Sequence, residues 1–208
     1  MEFGAALRRE RLVAIVRGRD AEASFRTVMT LVEQGVPLVE VSLSGTGALD
    51  VIGRARKELG DEAWLGAGTV LTAEDAQRAA GAGANLMATP GLGAGVDESV
   101  RQGLPVLAGV ITPTEVIAAE EAGACALKLF PGSIGGPAYL RALRAPFPDL
   151  PFVPVGGVDS AAAAEYLSSG AVAVGVGSPL IGDAADGGDL DALRRRAAEF
   201  KAACGWAA

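Results

Sequence analysis

Eight short β-rich runs recur along the chain, each followed by a longer run with helical signals. That alternation restricts the fold more than any other feature. The runs are Leu12–Val16, Leu38–Ser42, Trp64–Gly68, Asn85–Thr89, Pro105–Ala108, Ala124–Phe130, Pro151–Val155 and Val172–Val176. Between them the chain repeats one phrase: helix, glycine, small residue, strand. Gly81-Ala82-Gly83-Ala84, Ala122-Gly123-Ala124 and Gly170-Ala171 are examples. Glycine past a helix end supplies the left-handed cap at little steric cost. Helix starts are marked too. Asp20, Thr46, Thr72 and Asp159 stand where caps are needed, and Thr112-Pro113 puts a capping residue before a proline whose missing N–H costs nothing there.

Parallel strands joined by helices require right-handed crossovers. Eight such units in 208 residues suit a closed (β/α)8 TIM barrel at the small end of its range, with a short N-terminal helix ahead of it. The competitor is an open doubly wound sheet. Against it, Val16-Arg17-Gly18-Arg19 stands after the first strand where a Gly-x-Gly-x-x-Gly loop would be, and there is no P-loop. The length and the lack of a visible linker predict a single domain over 1–208.

Composition removes several function classes. The net charge is -7, from 18 basic and 25 acidic residues, so the basic footprint of a nucleic-acid binder is missing. The apolar stretch Ala171 to Ile181 is broken by glycines and a proline and is shorter than the roughly 20 residues of a membrane span. There is no histidine, which excludes His-based triads and His-ligated zinc. Two cysteines, Cys125 and Cys204, are too few for a disulfide framework. The N-terminus shows no secretory pattern, and a reducing cytoplasm is the expected location.

In such a barrel the chemistry sits at the C-terminal ends of the strands. Of the three lysines, Lys57 and Lys201 lie in charged helical contexts and read as surface. Lys128 lies in Ala126-Leu127-Lys128-Leu129-Phe130, where alternation sets Ala126, Lys128 and Phe130 on one face and the leucines on the other. A lysine inside a barrel is partly desolvated, and a neutral amine adds to a carbonyl to form a Schiff base. The bland alternative is a snorkelling lysine, or one paired with a carboxylate for structure alone. Glu40 is equally out of place. Alternation groups it with Leu38 and Ser42, opposite Val39, Val41 and Leu43. A carboxylate within an apolar strand is either a proton shuttle or half of a buried ion pair. Arg17 ends strand one and is able to clamp a carboxylate, and Thr69 ends strand three and is able to donate to it. Glycines cluster after strands seven and eight, at Gly156-Gly157 and Gly175-Val176-Gly177-Ser178, where barrels often build a phosphate site.

The ordered set Val39-Glu40-Val41, Gly66-Ala67-Gly68-Thr69-Val70, Thr89-Pro90-Gly91, Lys128-Leu129-Phe130-Pro131 and Gly156-Gly157-Val158 resembles the bacterial 2-keto-3-deoxy-6-phosphogluconate/4-hydroxy-2-oxoglutarate aldolase family. The resemblance spans about Leu12 to Ser178. It implies a (β/α)8 barrel, usually a homotrimer, and a class I aldolase that uses neither metal nor cofactor. Lys128 matches the Schiff-base lysine and Glu40 the proton-moving glutamate. Thr69, Pro90 and Phe130 match contacts to the pyruvyl end, and Gly156, Gly157, Gly177 and Ser178 match the phosphate end. The implied partners are a phosphorylated 2-keto-3-deoxy sugar acid and pyruvate, with 4-hydroxy-2-oxoglutarate a further substrate of the family. One position departs. Gluconate-type enzymes carry arginine four residues after the glutamate, where this chain has Ser44. Ile15-Val16-Arg17-Gly18 instead resembles the 2-dehydro-3-deoxy-6-phosphogalactonate branch, with Arg17 as the substitute clamp. The competing readings are a sugar-phosphate epimerase or isomerase, and a non-catalytic sugar-phosphate binding protein.

Overall fold

The computed structural model describes residues 2–205. Its strands are β1 (Leu12–Val16), β2 (Leu38–Ser42), β3 (Trp64–Gly68), β4 (Leu86–Ala88), β5 (Val106–Val110), β6 (Ala126–Leu129), β7 (Phe152–Pro154) and β8 (Val174–Val176). All neighbours run parallel, in the order β7-β6-β5-β4-β3-β2-β1-β8. A bridge between Val155 and Gly175 joins the two ends. The result is the expected (β/α)8 barrel.

Among the described residues ten α-helices accompany the strands. They are α1 (Phe3–Glu10), α2 (Ala21–Glu33), α3 (Ala48–Leu59), α4 (Ala73–Gly81), α5 (Ala94–Arg101), α6 (Pro113–Glu121), α7 (Gly136–Arg144), α8 (Ser160–Ser168), the single turn α9 (Ser178–Ile181) and α10 (Leu190–Ala203). Among the described residues no helix is long and apolar enough to cross a membrane.

Strand alternation sorts the core into two layers. Val39, Val41, Leu65, Ala67, Leu127 and Leu129 pack outward against the helices. Val13, Leu38, Leu86, Leu107, Ala126 and Val153 fill the barrel interior. The expected N-terminal helix is there. Phe3, Ala6 and Leu7 of α1 join the interior layer, and Phe3 meets Trp64 edge-on at 5.1 Å between ring centroids. So α1 plugs the end of the barrel where the strands begin, and the other end is left for chemistry.

Local signals perform as their chemistry dictates, with two exceptions. Asp20 accepts from the Ala23 amide at 2.9 Å, and Asp159 from the Ala162 amide at 2.8 Å. Thr72 with Asp75, and Thr112 with Glu115, form reciprocal capping boxes. Thr46 does not cap α3. The cap there is Gly47, in a left-handed conformation, while the Thr46 amide donates to the Gly18 carbonyl and ties two loops together. The second exception is β5, which runs on through Gly109 to Val110 instead of stopping at Ala108. Glycine reads as a breaker, but here Gly109 pairs with Lys128, and a β-carbon on it would collide with the backbone of Pro90. β4, β6, β7 and β8 are two or three residues shorter than their apolar runs.

Candidate active site

Lys128 and Glu40 point into the barrel from β6 and β2, as their faces predict. Lys128 Nζ lies 3.5 Å from Glu40 Oε1, and the two side chains are only 7% and 2% exposed. The second carboxylate oxygen, Oε2, is buried with no hydrogen-bond partner among the described residues. A carboxylate kept for structure alone would normally be satisfied at both oxygens, since leaving a buried acceptor open costs free energy.

Room for Glu40 comes from β3. Trp64, Gly66 and Gly68 alternate onto the interior face, and Glu40 pairs in register with Gly66. A β-carbon on Gly68 would fall on the Glu40 carboxylate. The Gly-Ala-Gly of this strand is therefore a hollow shaped around one side chain. The next residue, Thr69, sits at φ 59°, in the left-handed region where a β-branched residue is an outlier.

A chain of hydroxyls crosses the ends of β1, β2 and β3. Ser42 Oγ lies 2.8 Å from Thr69 Oγ1 and 2.8 Å from Ser44 Oγ, and it accepts from Arg17 Nε at 3.4 Å. Ser42 is fully buried, whereas Ser44 and Arg17 are exposed. Sequence reasoning placed Arg17 and Thr69 at this end but gave Ser42 no role, although alternation had already set it on the face of Glu40.

A cleft of about 300 Å³ opens at the ends of β1, β7 and β8; its lining reaches Phe130 but includes neither Lys128 nor Glu40. Its lining includes Ile15, Arg17, Phe130, Gly156, Gly157, Gly177 and Ser178. Six of the ten expected site residues thus meet in one hollow. Phe130 stands between it and the lysine, its ring centroid 5.7 Å from Lys128 Nζ. Pro90 is half-buried over Gly109, and Thr89 accepts from the Gly109 amide at 3.3 Å. The loop after β6 is fastened to the glycine turn after β7. The Gly132 amide donates to the Val155 carbonyl at 2.7 Å and the Ser133 amide to the Gly156 carbonyl at 2.9 Å. From behind, the buried Tyr166 hydroxyl donates to the Gly132 carbonyl. A separate hollow of about 270 Å³ is lined by Leu43 after β2, by Asp50 of α3 and by Asp75 and Arg78 of α4, among others.

The remaining lysines and the cysteines stay away from this chemistry. Lys57 is exposed. Lys201 is less peripheral than its charged context suggests, for Nζ donates to the Gln34 carbonyl at the end of α2. Cys125 is half-buried and Cys204 is buried. Burial pushes both thiols up to about 11. Among the described residues no group of three acidic or cysteine side chains is placed to hold a metal ion.

Comparison with known proteins bears on the family and the fold. The family model described as KDPG and KHG aldolase matches residues 4–195. "Probable 2-dehydro-3-deoxy-6-phosphogalactonate aldolase" of Rhizobium meliloti (strain 1021) is 37% identical over 181 residues, 86% of this chain and 85% of that protein. The 2-dehydro-3-deoxy-6-phosphogalactonate aldolase of Escherichia coli (strain K12) is 37% identical over 171 residues, 81% of this chain and 83% of that protein. The solved structure "Native KDPGal structure" superposes with a TM-score of 0.87 at 34% identity, covering 92% of this chain and 93% of the other. The chain belongs to the KDPG and KHG aldolase family.

Proposed function

We propose that this protein is a class I aldolase. It cleaves a 2-keto-3-deoxy-6-phospho-sugar acid to pyruvate and glyceraldehyde 3-phosphate through a Schiff base on Lys128. The observation that carries this reading is the buried Lys128–Glu40 pair, 3.5 Å apart, with one carboxylate oxygen open.

The chemistry follows from that pair. The Lys128 amine adds to C2 of the substrate to give a carbinolamine. Glu40 supplies the proton that lets water leave, and an iminium remains. Glu40, again a carboxylate, takes the proton of the C4 hydroxyl. The electrons of the C3–C4 bond then flow into the iminium, and the aldehyde departs. The enamine left on Lys128 is protonated at C3 and hydrolysed to pyruvate. The iminium serves as the electron sink, so the cycle uses no metal or cofactor.

Thr69, Pro90 and Phe130 border the pyruvyl end, and Gly156, Gly157, Gly177 and Ser178 the phosphate end. Glycine turns let an anion approach backbone N–H groups closely. Arg17 in the cleft and Ser44 in place of an arginine favour the galactonate series, in keeping with the names of the relatives. The reading includes a homotrimer, on family resemblance, and a cytoplasmic location, supported by two cysteines that both remain thiols.

Borohydride reduction in the presence of pyruvate tests the mechanism. The expected result is inactivation with a label on the peptide carrying Lys128. Label on Lys57 or Lys201, or none, would overturn the assignment. Lys128→Arg should abolish both trapping and turnover, because a guanidinium stays protonated and cannot add to a ketone.

A further inference from the structure

The hydroxyl chain across β1, β2 and β3 is left over once Lys128 and Glu40 have their roles. Ser42 Oγ has three polar neighbours: Arg17 Nε, Ser44 Oγ and Thr69 Oγ1. A hydroxyl carries one proton and two acceptor positions, so three contacts saturate it. Arg17 only donates. One acceptor position on Ser42 is therefore taken, and the other two hydroxyls must play opposite parts. One donates to Ser42 and the other receives its proton.

Two senses satisfy that count. In the first, Thr69 donates to Ser42 and Ser42 donates to Ser44. Thr69 has then spent its proton and offers only lone pairs. In the second, Ser44 donates to Ser42 and Ser42 donates to Thr69. Thr69 keeps its proton for something outside the chain. An anion bound at Thr69 selects the second sense, since a carboxylate accepts and cannot donate. Thr69 is also held at φ 59°, and an outlier of that kind points to a group aimed for a purpose.

We infer that Ser42 is a positioning residue which, driven by Ser44, turns the Thr69 hydroxyl proton toward the substrate carboxylate. This rests on the proposed reading of the site and deepens it. It also gives Ser44 a part to play. Standing exposed where gluconate-type relatives carry arginine, Ser44 serves the anion at one remove, by fixing the direction of a hydrogen-bond relay.

The test is a double-mutant cycle on pyruvate affinity, read from the pyruvate concentration that half-saturates borohydride trapping. Ser42→Ala should weaken pyruvate about 3- to 10-fold, the range for one net hydrogen bond, with trapping at saturation unchanged. In a Thr69→Val background the same substitution should cost less than about 2-fold, because its target is gone. Ser42→Cys, close in shape but a weak donor, should repeat the loss if the alanine variant folds poorly. Unchanged affinity in both variants overturns the inference, and so does an equal loss with and without Thr69, which would mark Ser42 as mere packing. Failure of the wild type to trap pyruvate at all would instead remove the aldolase reading itself.

Discussion

Replacing Gly68 with alanine asks whether the empty interior face of β3 exists for Glu40. A β-carbon at Gly68 would overlap Glu40 Oε1, Cδ and Cγ, so the carboxylate must shift. Gly68 is not among the glycines at positive φ, so alanine meets no backbone strain and the whole effect is the overlap. Glu40 has little space to yield, being 2% exposed with Lys128 Nζ 3.5 Å away. Overpacking of this kind costs about 1–3 kcal/mol. For a chain of this size that lowers Tm by about 2–12 °C. Pushing the carboxylate off Lys128 moves the cost toward the ~3–5 kcal/mol of an uncompensated buried charge. Turnover should suffer more than stability. A general acid–base group is worth roughly 10²–10⁴-fold, and kcat for pyruvate release should fall into that range. Borohydride trapping shows whether Lys128 itself is intact. Gly66→Ala is the control, two residues earlier on the same face. Its β-carbon meets Leu86 side-chain carbons at 3.0 Å, so it should lose stability while kcat stays within about 10-fold. Wild-type kcat and Tm in Gly68→Ala would refute the idea that this glycine makes room for a working carboxylate.

Three further outcomes are expected. Arg17→Ala should weaken pyruvate about 10- to 150-fold, as a charge-assisted contact to its carboxylate would; a loss confined to phosphorylated substrates would move Arg17 to the phosphate end. Prolonged EDTA treatment should leave the cleavage rate unchanged, and a loss restored by Mg²⁺, Mn²⁺ or Zn²⁺ would favour metal-dependent chemistry. Glu98, held by hydrogen bonds from Arg101, then Gln77 and Gln102, has its carboxyl pushed down to about 2 from an ordinary 4.5. A depressed folded-state value stabilises above the ordinary value and is lost as pH falls toward 2, so the stability gap between wild type and Glu98→Gln in urea unfolding should shrink from pH 7 to about pH 2. A gap that does not change with pH would deny those bonds their electrostatic role.

The fold was legible because period and punctuation agreed. Alternation within each strand separated the helix-facing Val39, Val41, Leu127 and Leu129 from the interior Leu38 and Ala126, and the same period carried Glu40 and Lys128 inward. Local rules failed where a distant backbone decided the matter. Gly109 looks like a strand end from its neighbours, yet Pro90, nineteen positions earlier, is what needs its missing side chain. Thr46 looks like a cap, but the Gly18 carbonyl claims its amide. Both facts belong to pairs of loops that meet only when the barrel closes.

The candidate site was legible as residue types and blurred as a network. Strand order explains why. β1 stands between β8, which leads into Gly177 and Ser178, and β2, which carries Ser42. A cation at the end of β1 is therefore close both to the glycine turns and to the Ser42–Thr69 pair, and no one-dimensional pattern says which it serves. The hydrogen bond gives a reason to favour the carboxylate. Arg17 lines the cleft beside the glycine turns, yet the nitrogen it has already committed, Nε, reaches Ser42 and through it Thr69. That contact, 3.4 Å long, is what supports the proposed carboxylate role of Arg17. A guanidinium has five donors on one rigid plane. With Nε turned toward Ser42, the four N–H groups on the two terminal nitrogens remain for an anion, and the pyruvate affinity of Arg17→Ala decides which end of the substrate they serve.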